Sequence, residues 1–369
     1  MPINISLLQT LTGHRAAIFA LSSAPRLNAV LSGCGDGLVA SWALGGMDTP
    51  MPEAATPPAP EPPPAPGPAP APEPAHAMAL ARLPANVFSL CWIPETQQLL
   101  VGGMHGGAFL LGWDAPVAVE GLSGLGQSGQ EGLGERPPPS GQSLPAGKVL
   151  KTLSNPNAPV FSILHRPQEQ QVWMACGDGM LRVYNTRNWA LLRQTQISRE
   201  RLRSLSPEPD GERIAVCASD GCVYLLNSQN GAIQQVLEGH EQSVFCAAWM
   251  APGGPLVTGS RDARLRVWQG KDQLLLDHVI PAHLFTINAM ALDPSGRWLA
   301  TASRDKTIKL WAADDFRLLK VLERPRYEAH SRSVNALLWQ GHNGLLISAS
   351  DDRSIKVWQV QEPTPQNAP

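Results

Sequence analysis

The sequence predicts an all-β fold, a ring of seven four-stranded antiparallel blades (a β-propeller), on three observations. First, a His is followed 22 positions later by an Asp and six positions after that by a Trp, four times in 369 residues. Second, each such unit contains short alternating strands joined by tight turns, which is typical of all-β folds. Third, a repeat of about 40 to 45 residues with four strands is the size of one propeller blade.

The four strict units also share a Ser or Thr four positions before the Asp. Their members are His14, Ser32, Asp36 and Trp42; His240, Thr258, Asp262 and Trp268; His283, Thr301, Asp305 and Trp311; His330, Ser348, Asp352 and Trp358. This set of residues resembles the raw material of a hydrolase triad, but a triad occurs once, at an exposed site. Four copies, each with a Trp, indicate a structural network instead.

Three weaker units become visible with the strict units as a template. Pro156 and Ser198 stand where a His is expected, Tyr184 and Leu226 replace the Trp, and the register of the second unit is ambiguous around His105. The single propeller domain of residues 1–360 then holds seven units, near 11–44, 83–113, 155–186, 197–228, 237–269, 281–313 and 328–360.

The chain ends suggest how the ring closes. Residues 2–9 precede the first unit and read as a short strand, whereas the 361–369 tail leaves too little chain for a fourth strand after Trp358. We therefore expect the N-terminal strand to pair into blade seven, which leaves no large open sheet edge.

Two inserts interrupt the pattern between the third and fourth strands of the first two blades. Residues 45–77 are mostly Pro and Ala, and residues 114–147 are rich in Gly, Ser and Pro. Their composition predicts extended or disordered segments on the face opposite the Asp turns. Each is either a tolerated loop expansion or, for the Pro-rich insert, a ligand for a Pro-binding module.

The motifs of the strict units resemble those of the WD-repeat family. They are "GH" at 13–14 and 239–240, "AH" at 282–283 and 329–330, "TASRDKTIKLW" at 301–311 and "SASDDRSIKVW" at 348–358. The resemblance implies a buried chain of hydrogen bonds in each strict blade. In that chain the Asp accepts from the His, the His meets the Ser or Thr, and the hydroxyl reaches the Trp indole N–H. It also implies a protein-binding scaffold.

Bulk properties narrow the function. The net charge of −2 argues against nucleic acid as the partner, and the sequence has no long apolar run for a membrane span. The G-x-G-x-x-G match at 124–129 lies in an insert without a strand before it, so it predicts no dinucleotide site. We expect no cofactor, no metal site, no disulfide framework, a cytoplasmic location and, by default, a monomer.

One position of the predicted innermost strands is unusually rich in aromatic residues. It is the residue just after the first apolar position of each strand, and four of the seven phenylalanines of the chain occupy it. In blade order this slot holds Phe19, Phe88, Phe161, Arg203, Phe245, Asn288 and Asn335. These side chains either pack between blades or form an apolar ring at the channel mouth on which a partner sits. Phe285 is expected on the same face.

A basic arc is predicted beside this ring. It consists of Arg199, Arg201, Arg203, Arg261, Arg264, Arg304 and Lys306. Its Arg side chains either pair with neighbouring Asp residues or bind an acidic or phosphorylated peptide, as in similar WD-repeat receptors.

The predicted function is therefore a non-catalytic scaffold that binds a protein or peptide on one face. The predicted contacts are Phe19, Phe88, Phe161 and Phe245 for apolar groups and Arg203, Arg261 and Arg304 for negative charge. A propeller enzyme and a nucleic-acid binder are the less favoured alternatives.

Overall fold

The computed structural model describes residues 3–24, 29–44, 77–112, 147–153, 158–209, 211–340 and 344–362. Both predicted inserts lie almost wholly outside these described residues, as do Pro156 and the glycines of 124–129. Within the described ranges, no helix is long and apolar enough to cross a membrane.

The described strands form seven antiparallel sheets of four strands, which confirms the predicted fold class. In blades one to four the strands run from the channel outwards in sequence order. They are β2 (Ile18–Ala24), β3 (Ala29–Cys34), β4 (Leu38–Ala43) and β5 (Ala77–Arg82); β6 (Val87–Ile93), β7 (Gln98–Gly103), β8 (Ala108–Gly112) and β9 (Lys148–Leu153); β10 (Val160–Arg166), β11 (Gln171–Cys176), β12 (Met180–Asn185) and β13 (Leu191–Gln196); β14 (Leu202–Pro207), β15 (Arg213–Ala218), β16 (Val223–Asn227) and β17 (Ile233–Leu237).

Blades five and six repeat this order, and a four-residue helix, α1 (Arg324–Tyr327), precedes blade seven. Their strands are β18 (Val244–Trp249), β19 (Leu256–Ser260), β20 (Arg264–Gln269) and β21 (Leu275–Pro281); β22 (Ile287–Leu292), β23 (Trp298–Ser303), β24 (Ile308–Ala312) and β25 (Leu318–Leu322). Blade seven holds β26 (Val334–Gln340), β27 (Leu345–Ser350) and β28 (Ser354–Gln361).

The fourth strand of blade seven comes from the start of the chain, as predicted. β1 (Asn4–Thr12) pairs antiparallel with β28, from Asn4 opposite Gln361 to Thr12 opposite Ser354. Ile3, just before β1, is only 3% exposed and packs in the same core cluster as Trp358. The pairing gives β28 a partner on its outer side, so blade seven has four strands like the other blades.

The core lies between neighbouring blades. The second strand of each sheet is nearly all buried because both of its faces pack against adjacent blades; β27 (LLISAS) has no exposed residue. Five of the fourth strands, β1, β9, β13, β17 and β21, are mostly exposed, whereas β5 and β25 are mainly half-buried. Large aromatic side chains fill the gaps, for example Trp298 and Trp339, whose rings stack 6.3 Å apart between blades six and seven.

Strand pairing determines the register of blade two. Val87 lies opposite Gly103 as Ile18 lies opposite Cys34 in blade one. His105 therefore occupies the turn position that Asp36 holds in blade one, and the ambiguity around His105 is removed.

Candidate interaction surface at the channel mouth

Each strict blade contains a chain of buried side-chain hydrogen bonds, which we call the blade clamp. In blade six, His283 Nδ1 lies 2.9 Å from Asp305, its Nε2 lies 2.8 Å from the Thr301 hydroxyl, and Trp311 Nε1 donates to that hydroxyl over 2.9 Å. Blades five and seven contain the equivalent bonds. The clamp ties the turn before the inner strand to the second and third strands of the same blade.

The protonation state of the His follows from its partners. Burial lowers the pKa of His283 and of His240 below the usual 6.5, so the imidazole is neutral near neutral pH. A neutral ring donates from Nδ1 to the carboxylate and accepts the hydroxyl proton at Nε2. The hydroxyl oxygen then accepts the indole N–H, so every polar side-chain atom that links His283, Asp305, Thr301 and Trp311 has a partner.

The clamp hydroxyls cannot act on a substrate. The Ser32, Thr258, Thr301 and Ser348 side chains belong to residues that are 0% exposed. Within the described residues, no group of three His, Cys, Asp or Glu side chains could hold a metal ion.

Blade one departs from the predicted clamp because a thiol separates His14 from Asp36. Cys34 Sγ lies 3.0 Å from His14 Nδ1 and donates to Asp36 over 2.8 Å, whereas the Ser32 and Trp42 bonds of the clamp are as predicted. The expected direct contact between His14 and Asp36 was therefore wrong. A Ser stands at the position of Cys34 in the other three strict units, so the sequence carried this signal.

Blade five has an additional partner for its turn Asp. Arg266 NH1 donates to Asp262 over 2.9 Å, on the same carboxylate oxygen that His240 contacts. Burial alone would raise the pKa of Asp262, but hydrogen bonds from His240, from the Arg264 backbone N–H and from Arg266 hold that pKa well below its usual 3.8. The change His240→Ala would therefore leave Asp262 paired with Arg266.

Two of the three weaker blades, blades three and four, keep the turn Asp and give it other partners. In blade three, Arg182 binds Asp178 through two nitrogens, at 3.0 and 2.6 Å. In blade four, Ser198 takes the His position and donates to Asp220 over 2.5 Å, and Tyr224 donates to the same oxygen over 2.7 Å. In these two blades the turn is thus held by a carboxylate although the clamp His and Trp are missing.

Stability should fall as the pH drops from 6.5 towards 4, because of the neutral histidines. Burial lowers the pKa of His14 from 6.5 to about 4, so the unfolded chain takes up a proton in this range while the folded chain does not. This residue alone should cost about 2 kcal/mol of unfolding free energy between pH 7 and pH 5. Urea titrations at both pH values measure the loss, and His14→Gln should make it smaller. A loss of the same size in the variant would contradict the assignment.

The end of the ring that carries the turn Asp residues is here called the top face, and the seven slot residues lie at its centre. In every blade the register between the first and second strands shifts at the slot: Ile18 pairs with Cys34, but Ala20 pairs with Gly33. The slot residue is therefore the extra residue of a β-bulge, and bulges re-aim a side chain out of the regular pleat. All seven slot residues line one cavity of about 540 Å³ at the channel mouth.

Five of the seven slot side chains form a continuous row of contacts. The ring centroids of Phe19 and Phe88 are 5.3 Å apart, as are those of Phe88 and Phe161. The guanidinium of Arg203 lies 4.8 Å from the Phe161 ring and 4.9 Å from the Phe245 ring. These side chains are half-buried, because each contacts its neighbours in the row on one side and faces the cavity on the other.

The remaining two slot residues are asparagines, and each donates a hydrogen bond to a backbone carbonyl of the next blade. Asn288 donates to the Val334 carbonyl over 2.8 Å, and Asn335 donates to the Ile18 carbonyl over 3.0 Å. The channel mouth thus has an apolar side, made by blades one to three, and a polar side, made by blades six and seven.

The basic arc is partly assembled around Arg203. Burial lowers the pKa of Arg203, and the positive charges of Arg201 and Arg261 lower it further, so these three cations lie within electrostatic reach of one another. Arg304 occupies the position of Arg261 one blade further on and is exposed. Arg264 instead pairs with Glu241 at 3.4 Å. In the described part of the chain, Arg199, Arg201, Arg203, Arg261, Arg304 and Lys306 make no ion pair with a carboxylate, contrary to the alternative that they pair with Asp neighbours.

Two adjacent apolar residues project from the top face of blade six. Leu284 is 83% exposed and Phe285 is 58% exposed, in the turn that leads into β22. Arg304 donates its backbone N–H to Thr286, the next residue of this turn, so its backbone lies beside the pair. Phe285 was predicted on this face from the sequence, whereas Leu284 was not.

Family models match most of the strict units. The model described as "WD domain, G-beta repeat" matches residues 5–42, 276–312 and 321–359, and "Anaphase-promoting complex subunit 4 WD40 domain" matches residues 163–252. Among solved structures, the WD40 β-propeller domain of Doa1 superimposes with a TM-score of 0.68 at 16% identity, covering 96% of this chain and 97% of that domain.

Curated relatives match shorter stretches. Autophagy-related protein 16 of Arabidopsis thaliana is 22% identical over 129 residues, which is 34% of this chain and 25% of that protein. THO complex subunit 6 homolog of Danio rerio is 19% identical over 169 residues, 41% of this chain and 49% of that protein. The chain thus spans half or less of the length of these relatives. The repeats, the family models and the seven-bladed ring together identify the chain as a member of the WD-repeat family.

Proposed function

We propose that this protein is a non-catalytic scaffold that binds a protein or peptide partner on its top face, at the channel mouth. Propellers of the WD-repeat family generally act as protein-binding scaffolds and not as catalysts, which supports the class of function. The proposed location of the binding site rests on one observation, the row of contacting side chains from Phe19 to Phe245. Half-buried aromatic clusters of this kind are typical contact surfaces.

The mechanism of binding is preorganisation. Each slot residue sits on a bulge at the start of an inner strand, and each Phe of the row contacts the slot side chain of a neighbouring blade. Little side-chain entropy is then lost when a partner covers the row, so more of the contact energy contributes to affinity.

Replacing a ring in the middle of the row should weaken partner binding. We expect Phe88→Ala to reduce affinity at least about 30-fold, because a central aromatic contact contributes about 2 kcal/mol or more. Partners are captured from the native host on the wild-type chain, and the dissociation constant of a purified partner is then measured by calorimetry. Leu275→Ala, on the exposed outer strand of blade five, is the matched control.

Thermal melts must show that both variants are folded. If Phe88→Ala binds like the wild type while Leu275→Ala loses the partner, the binding site is on the outer edge and not at the channel mouth.

A further inference from the structure

Arg203 is a fixed, unpaired cation in a slot that Phe occupies in four other blades. Its guanidinium is sandwiched by the Phe161 and Phe245 rings, and its Nε donates to the Ser219 hydroxyl over 2.7 Å. The fold thus uses Nε and two ring contacts, whereas the terminal nitrogens of Arg203 donate no hydrogen bond within the described residues and are left for a ligand. No carboxylate of the described residues lies within ion-pair distance of it.

The surroundings of Arg203 favour an anion. Arg201 and Arg261 add two like charges, and among the described residues no carboxylate forms an ion pair with either of them. A carboxylate at the terminal nitrogens would accept charge-assisted hydrogen bonds from a guanidinium that is already oriented. The flanking Phe rings exclude water from the pair, which strengthens the attraction.

Apolar surface lies on both sides of this cation. On the side of blades two and three, Phe88, Met104 and Phe161 line the cavity. On the side of blade six, Leu284 and Phe285 are exposed. In the order of the ring, Arg203 of blade four therefore lies between the apolar slots of blades two and three and the exposed apolar pair of blade six.

We propose that the partner inserts an aspartate or glutamate side chain at Arg203, with apolar residues on both sides of that acid in the partner's sequence. This inference rests on the proposed function. A carboxylate suits the site better than a phosphate dianion, because a dianion would lose more hydration beside two Phe rings.

Selection from a synthetic library of random peptides tests the proposal. The library contains aspartate, glutamate and phosphoserine among its building blocks, and it is screened on the immobilised full chain. The wild type should enrich peptides with an acid between apolar residues. Their binding should drop at least about tenfold when the acid is replaced by its amide. Arg203→Gln should abolish the difference between acid and amide, and Arg261→Gln, an exposed change, should reduce it.

Arg317→Gln is the control, since Arg317 is exposed and pairs with Asp315 in the turn between β24 and β25. Enrichment of peptides without an acid, whose binding Phe88→Ala still abolishes, would overturn this inference and leave the proposed function intact. Enrichment of phosphopeptides alone would also overturn it. If Phe88→Ala has no effect on any selected peptide, both proposals are wrong.

Discussion

Deleting residues 1–9 is expected to unfold or severely destabilise the protein. The deletion removes Ile3 from its core cluster and most of β1 from its pairing with β28. Lost burial and lost ladder bonds should together cost at least about 5 kcal/mol, which is comparable with the whole stability of many domains. Urea denaturation followed by circular dichroism measures the effect.

Two point variants test whether the destabilisation comes from the lost core contacts of this segment and not from shortening the chain. Ile3→Asp places a charge in the core and should cost several kcal/mol. Leu8→Asp changes a residue that is 39% exposed in the same segment and should cost less than about 1 kcal/mol. An unchanged melting temperature after the deletion would show that β1 does not hold the ring closed.

The second large effect is expected for Thr301→Val, which removes one oxygen atom and keeps the shape of the side chain. His283 Nε2 and Trp311 Nε1 both bond to that oxygen, and both would lose a buried partner. Each unsatisfied group costs about 1–3 kcal/mol, so the unfolding free energy should fall by about 2–5 kcal/mol.

Thr152→Val is the matched control, because Thr152 is exposed on the outer strand β9 and its loss should cost no more than about 0.5 kcal/mol. Partner binding should survive in folded Thr301→Val protein. Unchanged stability together with lost binding would mean that the clamp serves recognition and not the fold.

The spacing of His, Asp and Trp was sufficient to predict the ring, because each spacing corresponds to a fixed register. His283 and Asp305 can meet only if the intervening turn and two strands form one antiparallel sheet. The closing strand could be predicted in the same way. Six units contain four strands each, the seventh contains three, and the N-terminal segment supplies the missing strand. Because these hydrogen bonds join residues at fixed separations along the chain, this part of the structure can be predicted from the sequence.

The exceptions depend on which side chains occupy the repeated positions, and the spacing alone does not specify them. Cys34 intervenes between His14 and Asp36 because a thiol can accept from one and donate to the other. Ser198 and Asp220 keep the 22-residue separation of the strict units, so this substitute clamp could have been found from the sequence.

The surface was predicted less completely than the fold. The sequence grouped the slot residues, but it did not show that each is a bulge or that Arg203 lies between two rings. The bulge is a shift in the pairing of two strands within one blade. The position of Arg203 depends on side-chain packing between blades, with Phe161 and Phe245 each about 40 residues away along the chain.

The pairing of β1 with β28 has a consequence for biosynthesis. β1 leaves the ribosome before any other strand of the ring, and β28 leaves it after all the others. β1 therefore stays without its partner strand while the other six sheets and the rest of blade seven are synthesised. Completion of the ring is then a late event, separate from the folding of the individual blades.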